Sequence, residues 1–225
     1  MTELHLSDEG EAADLAAFLS RLLHYDRGAA VRLQAAGTAL AVFGRPPSFE
    51  VLAIRAVRLA KPYENGLDVM LDVTVSAGEL LESVDESVGT AVVPASVTGP
   101  PWAGVLPPRG GWRPEPGLPE PDALRAMVAA GVTEFRSRTR ELTAERRTRA
   151  ELDRIGREIW SRAVGTTGLP VRAVHAAQSL GFLRPTGSAG APALISSGAW
   201  LRLRTPYGSI AVRRAGLGAL DVSVR

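Results

Sequence analysis

Trp200-Leu201-Arg202-Leu203-Arg204-Thr205-Pro206-Tyr207-Gly208-Ser209-Ile210-Ala211-Val212-Arg213 is the stretch from which the fold is read most directly. Apolar and polar residues alternate on both sides of Thr205-Pro206-Tyr207-Gly208, and Pro in second place with Gly in fourth is turn chemistry. Strands Trp200–Arg204 and Ser209–Arg213 therefore make a hairpin. Successive side chains point to opposite faces of a strand, which sets Leu201, Leu203, Ile210 and Val212 on one face. Arg202, Arg204 and Arg213 lie on the other face or at its edge.

The same reading extends toward the N-terminus. Pro170, after Gly168, opens a helix through about Leu180 that Gly181 ends. Residues 133–163 read as one long charged helix with the i, i+4 pairs Glu145/Arg149, Arg147/Glu151, Asp153/Arg157, Arg154/Glu158 and Glu158/Arg162. Its middle, Thr143 to Ala150, has almost nothing to bury, the mark of a solvated bridge or of a stretch held by a partner. Asp122 caps a short helix over Ala123–Ala130 that Gly131 interrupts. Near the start, Ser7 with Asp8 and Glu9 caps a helix over 8–24, whose Leu15, Phe18, Leu19, Leu22 and Leu23 recur at helical spacing. Val31–Gln34 and Ala39–Phe43 form a hairpin about Ala36-Gly37, and β-branched Val51, Ile54 and Val57 favour a central strand over Val51–Ala60. Asn65-Gly66 marks a turn, Leu67 to Val75 alternate as a strand, and Ser76 with Glu79 boxes a short helix to about Val84. Leu220, Val222 and Val224 complete the pattern as a last strand. The class is α+β, small antiparallel sheets with packed helices.

Between these sets of elements, Pro94 to Pro121 holds nine of the chain's 16 prolines, with Trp102 and Trp112 ten positions apart. Proline fixes φ and lacks an N–H, so the segment runs extended outside a sheet interior. A freely solvated linker has no use for two tryptophans, so each is expected as a buried anchor of an ordered strap. This divides the chain into an acidic lobe over 1–93, a connecting strap over 94–121, and a basic lobe over 122–225.

Charge follows the division. Residues 1–132 carry 10 Lys/Arg against 17 Asp/Glu, net −7, while residues 133–225 carry 16 against 7, net +9. From residue 159 onward eight arginines face Asp221 alone. Either the basic half meets an acidic partner or the acidic half of the same protein docks on it. Arginine outnumbers lysine 25 to one, the composition of a GC-rich bacterial genome, so the excess says little about phosphate binding.

Exclusions sharpen this. Cysteine is absent, which removes disulfides, thiolate catalysis and Cys-ligated metals. Schiff-base chemistry could use only Lys61. Nothing resembles a transmembrane run, and the polar, acidic start lacks the character of a signal peptide, so a cytoplasmic location and no membrane partner are expected. Asp68 and Asp72 share a strand face but stand about 13 Å apart at roughly 3.3 Å per residue, beyond the spacing of about 5 to 9.5 Å for paired catalytic carboxylates. They read as a solvated face or as partners of Arg55 and Arg58. His5, His24 and His175 lack ligand spacing, so no metal is expected; His175 is the best single candidate for a general base. The Gly187-Ser188-Ala189-Gly190 loop lacks the Lys-Ser/Thr ending of a phosphate-binding loop, and no cofactor is expected.

The residues therefore point to a non-catalytic binding or regulatory protein. Its basic C-terminal lobe would engage an acidic partner protein, its own acidic lobe or a subunit copy, through Arg172, Arg184, Arg202, Arg204 and Arg213. Two alternatives stand beside it. Helix, turn, helix and basic hairpin resemble a winged helix-turn-helix in outline, which would make the lobe nucleic-acid-binding, although a Gly/Ser/Ala/Pro loop occupies the place of a recognition helix. An enzyme acting on an anionic small molecule in the inter-lobe cleft would use the same arginines as a clamp. Contiguous exposure of the late arginines favours a macromolecule, convergence on a concavity favours a small anion, and pairing with N-terminal acids favours neither.

Overall fold

The computed structural model describes residues 2–60, 71–184 and 190–214. In chain order the strands and helices are β1 (Glu3–His5), α1 (Glu9–Tyr25), β2 (Ala30–Ala36), β3 (Ala39–Gly44), β4 (Leu52–Arg58), β5 (Asp72–Ser76), α2 (Ala77–Glu82), β6 (Thr90–Val92) and β7 (Arg113–Pro114). They continue with α3 (Pro121–Arg140), α4 (Arg149–Trp160), α5 (Val171–Ser179), β8 (Ala193–Ser197), β9 (Trp200–Thr205) and β10 (Gly208–Arg213). The fold is α+β, helices packed on antiparallel sheets.

Strands from both sides of the proline-rich stretch share one eight-stranded sheet, in the order β5-β2-β3-β4-β10-β9-β8-β7. The junction is β4 with β10, where Ile54 faces Ser209 and Leu52 faces Ala211. The expected small sheets are thus largely one, with β1–β6 a separate pair. The hairpin from Trp200 to Arg213 forms as read, Gly208 opposite Thr205 and Arg213 opposite Trp200. It is not a wing, however. Both of its strands are paired on both edges, β10 by β4 and β9, and β9 by β10 and β8, so the hairpin lies inside the sheet. The winged-helix outline is corrected on that ground: a wing needs a hairpin that projects.

Alternation decides what each face carries. Leu33, Leu40, Val42, Ala53, Leu203, Ile210 and Val212 point to the helix-covered side and join one core with Leu15, Phe18 and Leu22 of α1, Leu124 and Val128 of α3, and Val174 and Ala177 of α5. That core runs through both halves of the chain. The opposite face buries a smaller cluster, Phe43, Leu52, Ile54 and Ala211, under Trp102, Leu106 and Trp200. Residues before β7 cross this second face: Val97 donates its N–H to the Thr74 carbonyl, and Arg32 donates to the carbonyl of Ala103. Trp102 and Trp112 are each only half-buried, so neither is the core anchor expected. The Trp112 indole N–H closes a local bond to the Pro108 carbonyl at 3.0 Å.

The expected helix over 133–163 is two helices. α3 extends through Gly131 to Arg140, the chain turns, and Thr148 caps α4 by accepting from the Glu151 N–H at 3.3 Å. The break falls where the sequence had nothing to bury. The strongest ion pairs then bridge the antiparallel helices: Arg138 binds both oxygens of Glu158 at 2.8 and 2.9 Å, and Arg162 binds Glu134. Of the pairs along the helix, Arg154–Glu158 and Arg162–Glu158 form, but Asp153 meets Arg149 and leaves Arg157 without a carboxylate among the described residues. Gly131 permits a close approach of α4, since a Cβ there would stand 2.8 Å from the Trp160 ring. Asp8, rather than Ser7, caps α1, and Asp122 lies inside the first turn of α3. Ser76 caps α2 as read, and Gly181 closes α5 at φ 77°. Lys61, Asn65-Gly66, Asp68, the loop over 187–189 and the strand about Leu220 to Val224 lie outside the described residues.

Candidate functional site

Three arginines of the acidic half settle first. Arg55 points from β4 into the helix side, where its side chain is 6% exposed. It donates to Glu11 at 2.8 Å, to Asp14 at 3.2 Å and to the Tyr207 carbonyl at 2.7 Å, so α1, β4 and the β9–β10 turn meet on one guanidinium. Asp72 is held by Arg32, whose hydrogen bonds and charge keep its carboxyl below the ordinary range against the opposing effect of partial burial. The expected partnership of Asp72 with Arg55 or Arg58 is therefore corrected. Arg58 instead reaches Glu11 at 3.0 Å.

The five arginines singled out from sequence divide into three groups. Arg184 turns inward to the acidic half, binding Asp14 at 2.7 Å and lying 3.7 Å over the Tyr207 ring. Arg202 and Arg204 project from β9 on the second face of the sheet. Arg202 donates to Ser209 Oγ at 3.0 Å, stands 5.7 Å from the Trp112 ring, and leaves its Nε buried without a partner among the described residues. Burial, then Arg204, pushes its pKa down. Arg172 and Arg213 converge elsewhere.

Their meeting place is a groove of about 490 Å³ between the halves, lined by Arg45, Glu50, Trp102, Arg172, Trp200 and Arg213. No ion pair reaches Arg45, Arg172 or Arg213 among the described residues, and Arg172 Nε is buried with no acceptor there. So are the Nε atoms of Arg55 and Arg202, but of these three only Arg172 has neither an ion pair nor another side-chain hydrogen bond among the described residues. Arg213 lies 5.7 Å from the Trp200 ring. A buried guanidinium N–H without an acceptor is costly and uncommon in native proteins, and bound water or a ligand is what normally satisfies it. Sequence reasoning missed Arg45, Glu50 and Trp200. Arg45 and Glu50 flank a short turn at Pro47–Phe49, and Glu50 alone among the described non-glycine residues has a left-handed backbone, φ 51°. No side-chain pattern announces that conformation.

A second groove of about 720 Å³ adjoins the first and shares Glu50 and Arg172 with it. Phe49, Phe135, Trp160 and His175 supply its rings, and Arg149, Arg157 and Asp153 its charges. His175, the candidate base, stacks on Trp160 at 4.4 Å and meets Phe49 edge-on at 5.0 Å. Burial pushes its pKa down, so the ring is neutral at pH 7. Among the described residues no three His, Asp or Glu side chains converge as a metal-ligand set, and no helix is long and apolar enough to cross a membrane.

Comparison with known families divides the chain at the proline-rich stretch. Residues 1–104 are similar to a domain of unknown function, DUF8010, and residues 107–217 to another, DUF8185. No curated protein matches the chain. The first groove needs both segments: Arg45 and Trp102 come from one, and Arg172, Trp200 and Arg213 from the other.

Proposed function

We propose that the protein is a cytoplasmic, non-catalytic binding or regulatory protein whose basic half takes an acidic ligand in the groove between the halves. The observation that carries this is Arg172, which lines the groove, forms no ion pair and leaves its buried Nε without an acceptor among the described residues. Arg184 supports the rest by contrast, because its charge is already neutralised by Asp14. Two half-buried indoles beside three unpaired guanidiniums suit an anion carried on a planar group, which stacks on the ring while its charge meets the arginines. Binding is favoured over catalysis because His175 is held by rings rather than oriented by a carboxylate.

Titration of the full chain with adenosine monophosphate, followed by tryptophan fluorescence, tests this, with adenosine and inorganic phosphate as the separate halves of that probe. Quenching of Trp102 and Trp200 by the intact nucleotide, weaker responses to either half, and a loss of about tenfold or more in Arg172→Gln are expected, since one charge-assisted contact contributes about 1.5–3 kcal/mol. An unresponsive protein, or an Arg172→Gln variant that binds as well as the parent, overturns the reading.

A further inference from the structure

We infer that the ligand is a single-stranded nucleic acid lying along both grooves, with its bases against the aromatic rings and its phosphates against the arginines. The inference rests on the proposed function for the first groove and extends it through the second.

Continuity comes first. The two grooves share Arg172 and Glu50, so a linear ligand can pass from one to the other without leaving protein surface. Each supplies the same pair of ingredients. The first offers half-buried Trp102 and Trp200 with Arg45 and Arg213; the second offers half-buried Phe135 and Trp160 with exposed Arg157, and Arg149 beside its partner Asp153; Arg172 stands where they join. Repetition of ring and cation along one path is what a chain of alternating base and phosphate requires, because stacking tolerates any base and the backbone supplies the charge. A duplex hides its bases from such rings. An acidic peptide has the charge but no planar group to repeat.

The acids in the path also have a place in the argument. Asp153 is engaged by Arg149 at 3.4 Å, and Arg157 on the next turn is left free of carboxylates among the described residues. Glu50, in no ion pair among the described residues, projects its exposed charge at the crossing point. There it repels a phosphate and favours a base or sugar over Arg172's neighbourhood, which would fix how a strand sits across the junction. Removing that charge should strengthen binding.

The experiment is fluorescence anisotropy of a labelled oligothymidylate of about eight nucleotides, within the usual length for such surfaces, against the full-length protein. Tighter binding than adenosine monophosphate by about tenfold or more is expected, with a log–log salt slope near −0.7 for each phosphate contact. Arg45→Ala and Arg157→Ala should each weaken the oligonucleotide about fivefold or more and lower the magnitude of that slope by roughly 0.7. Glu50→Gln should bind more tightly than the parent, a gain that a misfolded variant would not show. Arg140→Ala, on α3 away from both grooves, is the control for general basicity. Nucleotide binding with an oligonucleotide no tighter overturns this inference and leaves the proposed function standing. Binding of neither overturns both. Equal affinity for duplex, equal competition by polyglutamate, or an Arg140→Ala effect as large as Arg157→Ala each overturn the single-strand assignment.

Discussion

The two faces of the sheet treat arginine in opposite ways. On the helix-covered face Arg55 is enclosed by Glu11, Asp14 and a backbone carbonyl, and every contact serves to hold three segments together. Around the other face and its rim, Arg45, Arg172, Arg202 and Arg213 lie beside tryptophans with no carboxylate among the described residues. Net charge does not distinguish these environments. The presence or absence of a carboxylate partner does, and it separates a structural cation from one available to a ligand.

The largest effect expected from this contrast is on stability. Arg55→Ala should cost about 3 kcal/mol in denaturant unfolding, the lower end for breaking a buried pair, because it removes the tie to Asp14 and the Tyr207 carbonyl while Glu11 keeps only the exposed Arg58. Arg172→Gln should destabilise by no more than about 0.5 kcal/mol, because it breaks no ion pair and removes a buried donor that has no acceptor among the described residues. If Arg172→Gln costs as much as Arg55→Ala, the distinction between the two faces is broken.

A smaller effect should follow from crowding the wall of the second groove. In Gly131→Ala the new Cβ would meet Trp160 at 2.8 Å and Ile159 at 3.4 Å, so the helices must separate. Overpacking typically costs about 1–3 kcal/mol, offset by about 1 kcal/mol of improved helix propensity. A net loss of about 1 kcal/mol, with altered Trp160 fluorescence, is expected. A stabilised variant would show that the groove wall is loose.

The smallest effect is the pH dependence contributed by His175. Burial lowers its folded pKa below the ordinary 6.5, so the unfolded chain takes up the proton first as pH falls. The contribution is complete above that ordinary value and declines as pH falls from it toward the folded pKa. His175→Phe should remove that part of the pH profile in denaturant melts near pH 6, and an unchanged profile would mean the ring is not held neutral by its surroundings.

Much of the fold was legible because it is local. Alternation from Trp200 to Arg213 specifies a hairpin whatever surrounds it. The poverty of apolar residues over Thr143–Ala150 is equally visible, but it fits a solvated bridge inside one helix as well as a break, and only the packing of α4 back on α3 decides for the break. Pairing partners are not local. β4 and β10 carry apolar residues on both faces, which says that each is central but not that they are neighbours. The same limit hid the groove. Arg172 and Arg213 were legible as late, unmatched arginines, yet Arg45, Glu50 and Trp200 join them only through that strand pairing and a left-handed turn residue. Arg184 looked equivalent in sequence and differs only because α1 brings Asp14 to it.

The seam between β4 and β10 also has a consequence in time. A ribosome releases Leu52–Arg58 long before Gly208–Arg213, so throughout most of synthesis the edge that β10 will occupy presents unpaired amides and carbonyls with Phe43, Leu52 and Ile54 beside them. Such an edge is a template for other extended chains, and closing it requires a contact between distant parts of the sequence, the slow kind of step in folding. The nascent protein therefore passes through a long interval in which its middle strand is an open seam, and the last strand of the hairpin is what seals it.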